Sequence, residues 1–187
     1  MLAVYCELAF DEVPAKDDEI RYTDSPLTCL SLTEVHRPEY VVIRFPYGTL
    51  DLNFKLFELC GCLKRDARTR AIPLLALLSF PHRALIEALQ EAEVDHLLFY
   101  PGDPPGSQAL TDLVKSLPGL PGPARFRESV CPYLDYEVFN TNNEITLCGA
   151  YLDHLVINPQ RLQRFCSQDQ HRECSYFLKP KKPHEIV

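Results

Sequence analysis

Apolar positions along the first 120 residues alternate between short continuous runs and three-to-four spacing. Tyr40–Phe45 (YVVIRF) is a β-branched run following His36-Arg-Pro and reads as a buried parallel strand. Leu52, Leu56, Leu59 and Leu63 then recur at helical spacing, with Thr49 or Asp51 as the cap. Ile72-Pro-Leu-Leu-Ala-Leu-Leu is a second buried strand. Ser79 and Pro81 open a helix with Leu85, Ala88, Leu89 and Ala92 on one face. His96-Leu-Leu-Phe-Tyr is a third strand, closed by Pro101, and Ser107 starts a helix carrying Leu110, Leu113, Val114 and Leu117. Strands alternating with helices over short connections predict a parallel sheet covered on both faces.

The pattern changes after Leu120-Pro-Gly-Pro. Residues 120–123 read as a linker, dividing the chain into an α/β unit at 1–119 and a small α+β unit at 124–187. In the second unit, Leu134–Phe139 and Glu144–Ile157 read as strands around the Asn-rich turn 140–143. Asn158-Pro159 caps a helix over Gln160–Phe165.

At 187 residues with 46% hydrophobic positions, the chain can bury a core. The net charge of −7 falls wholly in residues 1–120, which hold 11 basic against 18 acidic side chains. An acidic body argues against nucleic-acid binding, which needs clustered cations. Lys179, Lys181 and Lys182 are too few to change that. No segment approaches the roughly 20 apolar residues that span a bilayer, and Glu7 interrupts the start too early for a signal peptide. A cytoplasmic location follows as the expectation, and there thiols stay reduced.

Eight cysteines in such a compartment are free thiols or metal ligands. Cys131, Cys148, Cys166 and Cys174, spaced C-x16-C-x17-C-x7-C, form the candidate ligand set. Thiolates hold zinc or an iron–sulfur cluster. Structural zinc favours two close Cys pairs, whereas every gap here is long. That weighs toward a [4Fe–4S] cluster, with zinc as the alternative and ordinary buried thiols as the plainest reading. Tyr133, Tyr151, Phe165 and Tyr176 are candidate shields, and His154 and His171 are spare ligands, more simply read as surface residues. Cys60 and Cys62 are two apart on one helix and point away from each other. Cys6 and Cys29 read as buried thiols.

Three segments together carry a family resemblance: Arg37–Arg44, Leu63–Ser79 and Ala88–Pro101. In order and spacing they resemble the receiver domain of bacterial response regulators, over roughly residues 36–117. The resemblance implies a flavodoxin-like doubly wound fold with its chemistry at the carboxyl ends of the strands. It also implies four functional positions. An aspartate that takes the phosphoryl group ends the third strand, where this chain has Arg44. A hydroxyl ends the fourth, where it has Leu78, and a lysine precedes the proline after the fifth, where it has Tyr100. Asp11-Glu12 is the candidate for the acidic pair that holds Mg²⁺, although an acidic turn without metal is the simpler reading. Arg44 cannot form an acyl phosphate, and its fixed cation opposes Mg²⁺. Phosphotransfer is therefore not expected.

Only 33 residues separate Asp11 from Arg44, fewer than the family places there. The shortfall lies between Glu12 and Ile20 and predicts a truncated first βα unit. Leu2–Phe10 and Ile20–Asp24 would then pair as a hairpin, or the first strand would join the sheet edge in another way. No Gly-rich phosphate loop, Ser/His/Asp order or Cys-x-x-Cys suggests an enzyme. The resulting expectation is a non-enzymatic regulatory protein with a redox-responsive four-cysteine centre and a protein partner in bacterial signalling. A zinc-stabilised adaptor and an electron-transfer protein are the alternatives.

Overall fold

The computed structural model describes residues 3–8, 19–46, 48–140, 143–151 and 154–181. It is an α/β structure built on a five-stranded, wholly parallel sheet. The elements run β1 Ala3–Cys6, β2 Ile20–Thr23, α1 Pro26–His36, β3 Tyr40–Phe45, α2 Leu50–Arg65 and β4 Leu74–Leu78. They continue with α3 Arg83–Glu91, β5 His96–Phe99 and α4 Ser107–Ser116. The strand order β2-β1-β3-β4-β5 is that of flavodoxin-like sheets.

Strand alternation divides the core in two. Val4, Cys6, Val41, Ile43, Phe45, Leu74, Ala76 and Leu78 face α1, α2 and α3, meeting Cys29, Leu56, Cys60, Leu85 and Leu89. Ala3, Tyr5, Val42, Leu75 and Leu77 face the other way, against Leu110 and Val114 of α4 and Leu117 just beyond it. The inner strands are buried on both faces, which explains why β3 and β4 read as near-continuous apolar runs.

Several elements differ from the sequence expectation. The hairpin at the start does not form: β1 is an inner strand, parallel to both β2 and β3. The first strand ends well before Asp11. β1 ends at Cys6 and β2 begins at Ile20, so the two strands are about a dozen positions apart in sequence, the length a parallel connection requires. Asp11, Glu12 and the presumed truncation at 13–18 lie outside the described residues. α3 is capped by His82, whose Nδ1 accepts the Leu85 N–H at 3.2 Å, rather than by Ser79 or Pro81. Ser79 Oγ instead donates to Phe45 O. α2 begins at Thr49, whose hydroxyl accepts from Leu52 N, and Asp51 only adds charge to the first turn.

Residues 120–123 lie along β5. Leu97 N donates to Pro121 O at 3.2 Å, and His96 Nδ1 is 3.3 Å from Leu120 O. Pro123 at a first helical position opens α5 (Pro123–Ser129), a helix that the sequence reading passed over. It packs along α3, with Phe126 edge-on to Phe99 of β5.

Beyond α5, β6 (Leu134–Asn140), β7 (Asn143–Cys148) and β8 (Leu155–Val156) form an antiparallel sheet in that order. The run 144–157 is thus two strands rather than one. The chain turns at Gly149, whose N–H reaches Tyr133 O, and His154 has a left-handed backbone at φ 47°. The helix after Asn158 is one turn, α6 (Pro159–Arg161). It widens into a π-helical turn over Leu162–Cys166 and is followed by a 3₁₀ segment, Asp169–Glu173, and α7 (Ser175–Leu178). Val130, Cys131, Leu134, Cys148, Ala150, Ile157 and Cys166 join the same buried cluster as the α1–α3 face of the main sheet. Among the described residues, no helix is long and apolar enough to cross a membrane.

Candidate functional site

The carboxyl ends of β1, β3, β4 and β5 converge where the receiver resemblance places its chemistry. Arg44, at the position to which the resemblance would assign the acceptor, is buried on the α4 side of the sheet. Its Nη1 donates to Glu7 Oε1 at 2.5 Å and its Nη2 to the carbonyl of Gly102, in the loop after β5. Glu7 directly follows β1 and is buried too; its other oxygen accepts from Tyr5 Oη at 2.8 Å. Burial first, then the charge of Glu7 and the hydrogen bond to it, push the Tyr5 phenol well above its ordinary range. Leu78 is buried at the end of β4, and Tyr100 N donates to its carbonyl at 2.8 Å.

The ends of the strands are therefore joined by an internal ion pair. Glu7, which the sequence reading did not weigh as a site residue, supplies the acid that meets Arg44. Its signal was positional: it is the first residue after a four-residue apolar strand, pointing into a site where an arginine awaits a partner.

The second cluster is built by the C-terminal elements. Cys131 lies just after α5, and its N–H donates to Cys166 O at 2.8 Å. Cys148 ends β7, opposite Leu134. Cys166 closes the π-helical turn, a local widening that recurs at functional sites. Cys174 is the N-cap residue of α7. All four are buried, and all eight cysteines of the chain are unbridged.

The four thiols lie within electrostatic reach of one another. Cys166 is pushed up to about 12 by burial and then by negative charge on Cys131, Cys174 and Cys148. Cys131 is raised as well, by burial, with smaller contributions from Cys148 and Cys174; a backbone N–H from Tyr133 works the other way. Cys174 moves down. Burial is its largest single influence and opposes ionisation, but the backbone N–H groups of Phe177 and Tyr176 and the guanidinium of Arg161 together outweigh it. Thiols from four separate elements thus lie buried near one another, and Cys174 is the one of them whose ionisation the surroundings ease.

Compared with known proteins, the chain matches no family model and no curated protein.

The arrangement does not have the compactness of a single-ion site. Among the described residues, no three His, Cys, Asp or Glu side chains form a group that would hold one metal ion. Zinc–sulfur bonds of about 2.3 Å require tetrahedral sulfurs about 3.8 Å apart. A polynuclear cluster spaces its ligand sulfurs more widely, since each binds a different iron.

The spare histidines do not join the set. His171 is buried rather than superficial: its Nδ1 is 2.9 Å from Gln168 O, and its ring meets Phe177 edge-on. His154 is exposed and lies 3.6 Å from Asp135. Cys6, Cys29 and Cys60 form a separate buried group in the main body. There, contact with Cys6 and then burial raise Cys29, and burial raises Cys60. Cys62 is exposed. Of the aromatic shields, Tyr133 packs on Phe177 and Tyr151 on Tyr176.

Two features of this region were invisible in the sequence. Arg161 Nη2 lies 3.5 Å from Cys174 Sγ, with its guanidinium 4.4 Å from the Tyr176 ring centre. Second, His82 stacks on Tyr136 at 3.6 Å, Tyr136 Oη accepts the Arg83 N–H at 2.9 Å, and His82 Nε2 lies 2.9 Å from Glu144 without the alignment of a hydrogen bond. These contacts tie the start of α3 to β6 and β7.

Proposed function

We propose that this chain is a non-enzymatic regulatory protein in which a receiver-like body, unable to take a phosphoryl group, is coupled to a C-terminal four-cysteine iron–sulfur centre. Cys131, Cys148, Cys166 and Cys174 are the ligands. The observation that carries this reading is the convergence of four buried thiols from distant elements into mutual electrostatic reach. A donor set of thiolates alone suits iron–sulfur clusters and structural zinc. The long gaps between the four positions, without the close Cys pairs of structural zinc, favour the larger cluster.

The body's role follows from Arg44. A permanent cation hydrogen-bonded to Glu7 occupies the ground where the resemblance would place the acceptor aspartate and Mg²⁺. The same guanidinium holds the Gly102 carbonyl, so the loop after β5 is fixed without any phosphoryl group. In this reading the body is a docking platform for a bacterial signalling partner. The thiolate centre is the variable element, because cluster charge and integrity respond to oxidation. Its core is continuous with that of the body, and the His82–Tyr136 stack gives a direct path between them.

The test is iron and acid-labile sulfide content, with the visible spectrum, of full-length protein purified without oxygen, alongside Cys166→Ser. The native protein is expected to carry both elements and the variant to lose them. A colourless, zinc-loaded protein, or equal metal in both forms, overturns the reading.

A further inference from the structure

The guanidinium of Arg161 has a peculiar set of neighbours. Nη2 donates to Cys174 Sγ at 3.5 Å, within the range of a hydrogen bond to sulfur. The group lies over the Tyr176 ring at 4.4 Å, with Phe165 farther away at 5.8 Å. Its backbone N–H is held by Asn158 Oδ1 at 2.8 Å, which anchors the one-turn helix that presents it. Among the described residues no carboxylate pairs with it, so sulfur is the side-chain acceptor it has. Arg68 shows the ordinary alternative, bound by both Asp66 and Glu34. A half-buried arginine aimed at a cysteine and fixed there by aromatic rings is a placed cation, not a solvated one.

We propose that Arg161 is a positioning residue that sets the reduction potential of the four-cysteine centre through its charge-assisted hydrogen bond to Cys174. The inference rests on the iron–sulfur reading above. A donor to a ligand sulfur stabilises negative charge at that sulfur, and a fixed cation strengthens the effect. Adding one electron to a thiolate-ligated centre makes it more negative by one unit, so the donor favours the reduced form and raises the potential. Tyr176 and Phe165 keep the guanidinium over the sulfur when the charge changes.

The experiment is a dithionite titration with redox mediators on the anaerobic full-length protein, in three forms: native, Arg161→Gln and Arg161→Lys. Iron and sulfide are assayed in each sample. Arg161→Gln is expected to keep native iron and sulfide while its one-electron couple shifts about tenfold toward the oxidised form, a fall of about 59 mV. Arg161→Lys keeps the charge without the planar stacking and should lie between the two. An Arg161→Gln protein with full iron content and an unshifted potential overturns the role of Arg161 and leaves the centre standing. A native protein without iron and sulfide overturns the centre and this inference with it.

Discussion

Replacing Arg44 by methionine separates an internal ion pair from ordinary packing. The substitution keeps a long, flexible side chain but, among the described residues, leaves Glu7, which is 3% exposed, the Tyr5 hydroxyl as its side-chain donor. With charge centres about 4 Å apart and an effective dielectric of about 20, the lost attraction is about 4 kcal/mol. Measured losses on breaking one side of a buried pair run about 3–5 kcal/mol. That is a large part of the roughly 5–15 kcal/mol available to a folded domain. With a urea slope of about 2 kcal/mol per molar, the unfolding midpoint should fall by about 2 M. The double variant Glu7→Gln/Arg44→Met removes both charges and should recover most of the loss, because a paired buried charge contributes little net stability beyond a neutral, well-packed substitute. The assay is urea unfolding of native, both single and double variants, monitored by far-ultraviolet circular dichroism. A loss under about 1 kcal/mol in Arg44→Met, or additive losses in the double variant, would show that the pair is not the internal tie described here.

Acetyl phosphate with Mg²⁺ should leave no acyl phosphate on the native chain; detection of a phosphoaspartate by acid-stable, hydroxylamine-labile labelling refutes the silent body. Stability should decline as pH rises above 9. Cys29 and Cys60 are raised in the fold from an ordinary value of 9.0, so the protonated form that folding favours is fully present below that value and must be held against ionisation above it. A urea midpoint equal at pH 7.5 and 10 would contradict that sign. Among the four cysteines of the main body, iodoacetamide should label Cys62 first, since Cys6, Cys29 and Cys60 are fully buried; peptide mapping of early time points decides it. Tyr136→Phe removes the acceptor of the Arg83 N–H and should cost about 1–2 kcal/mol. That loss should loosen residues 130–148 along with α3, as read by hydrogen exchange.

The alternation of strands and helices from Tyr40 to Ser116 was legible because each strand is mainly apolar and each helix has an apolar stripe at 3.6 spacing. Those are local properties, written in consecutive residues. Four cysteines in a reducing context also announced themselves, since thiol chemistry belongs to the residue type. Thr49 could be read as a cap for the same reason. The start of the chain misled because a strand's last residue is set by its pairing partners, not by its own composition. Only β3 and β2 on either side of β1 decide that it ends at Cys6 and delivers Glu7 to Arg44. The run 144–157 broke in two because pairing with β6 stops at Cys148, which no local propensity records. His82 displaced Ser79 as a cap because Ser79 found a better acceptor 34 residues earlier, at Phe45. Residue type and spacing therefore determined the α/β class and the ligand candidates. The partners of the charged groups, Arg44 with Glu7 and the Gly102 carbonyl and Arg161 with Cys174, were decided only by tertiary packing, which brings together groups that no local pattern pairs.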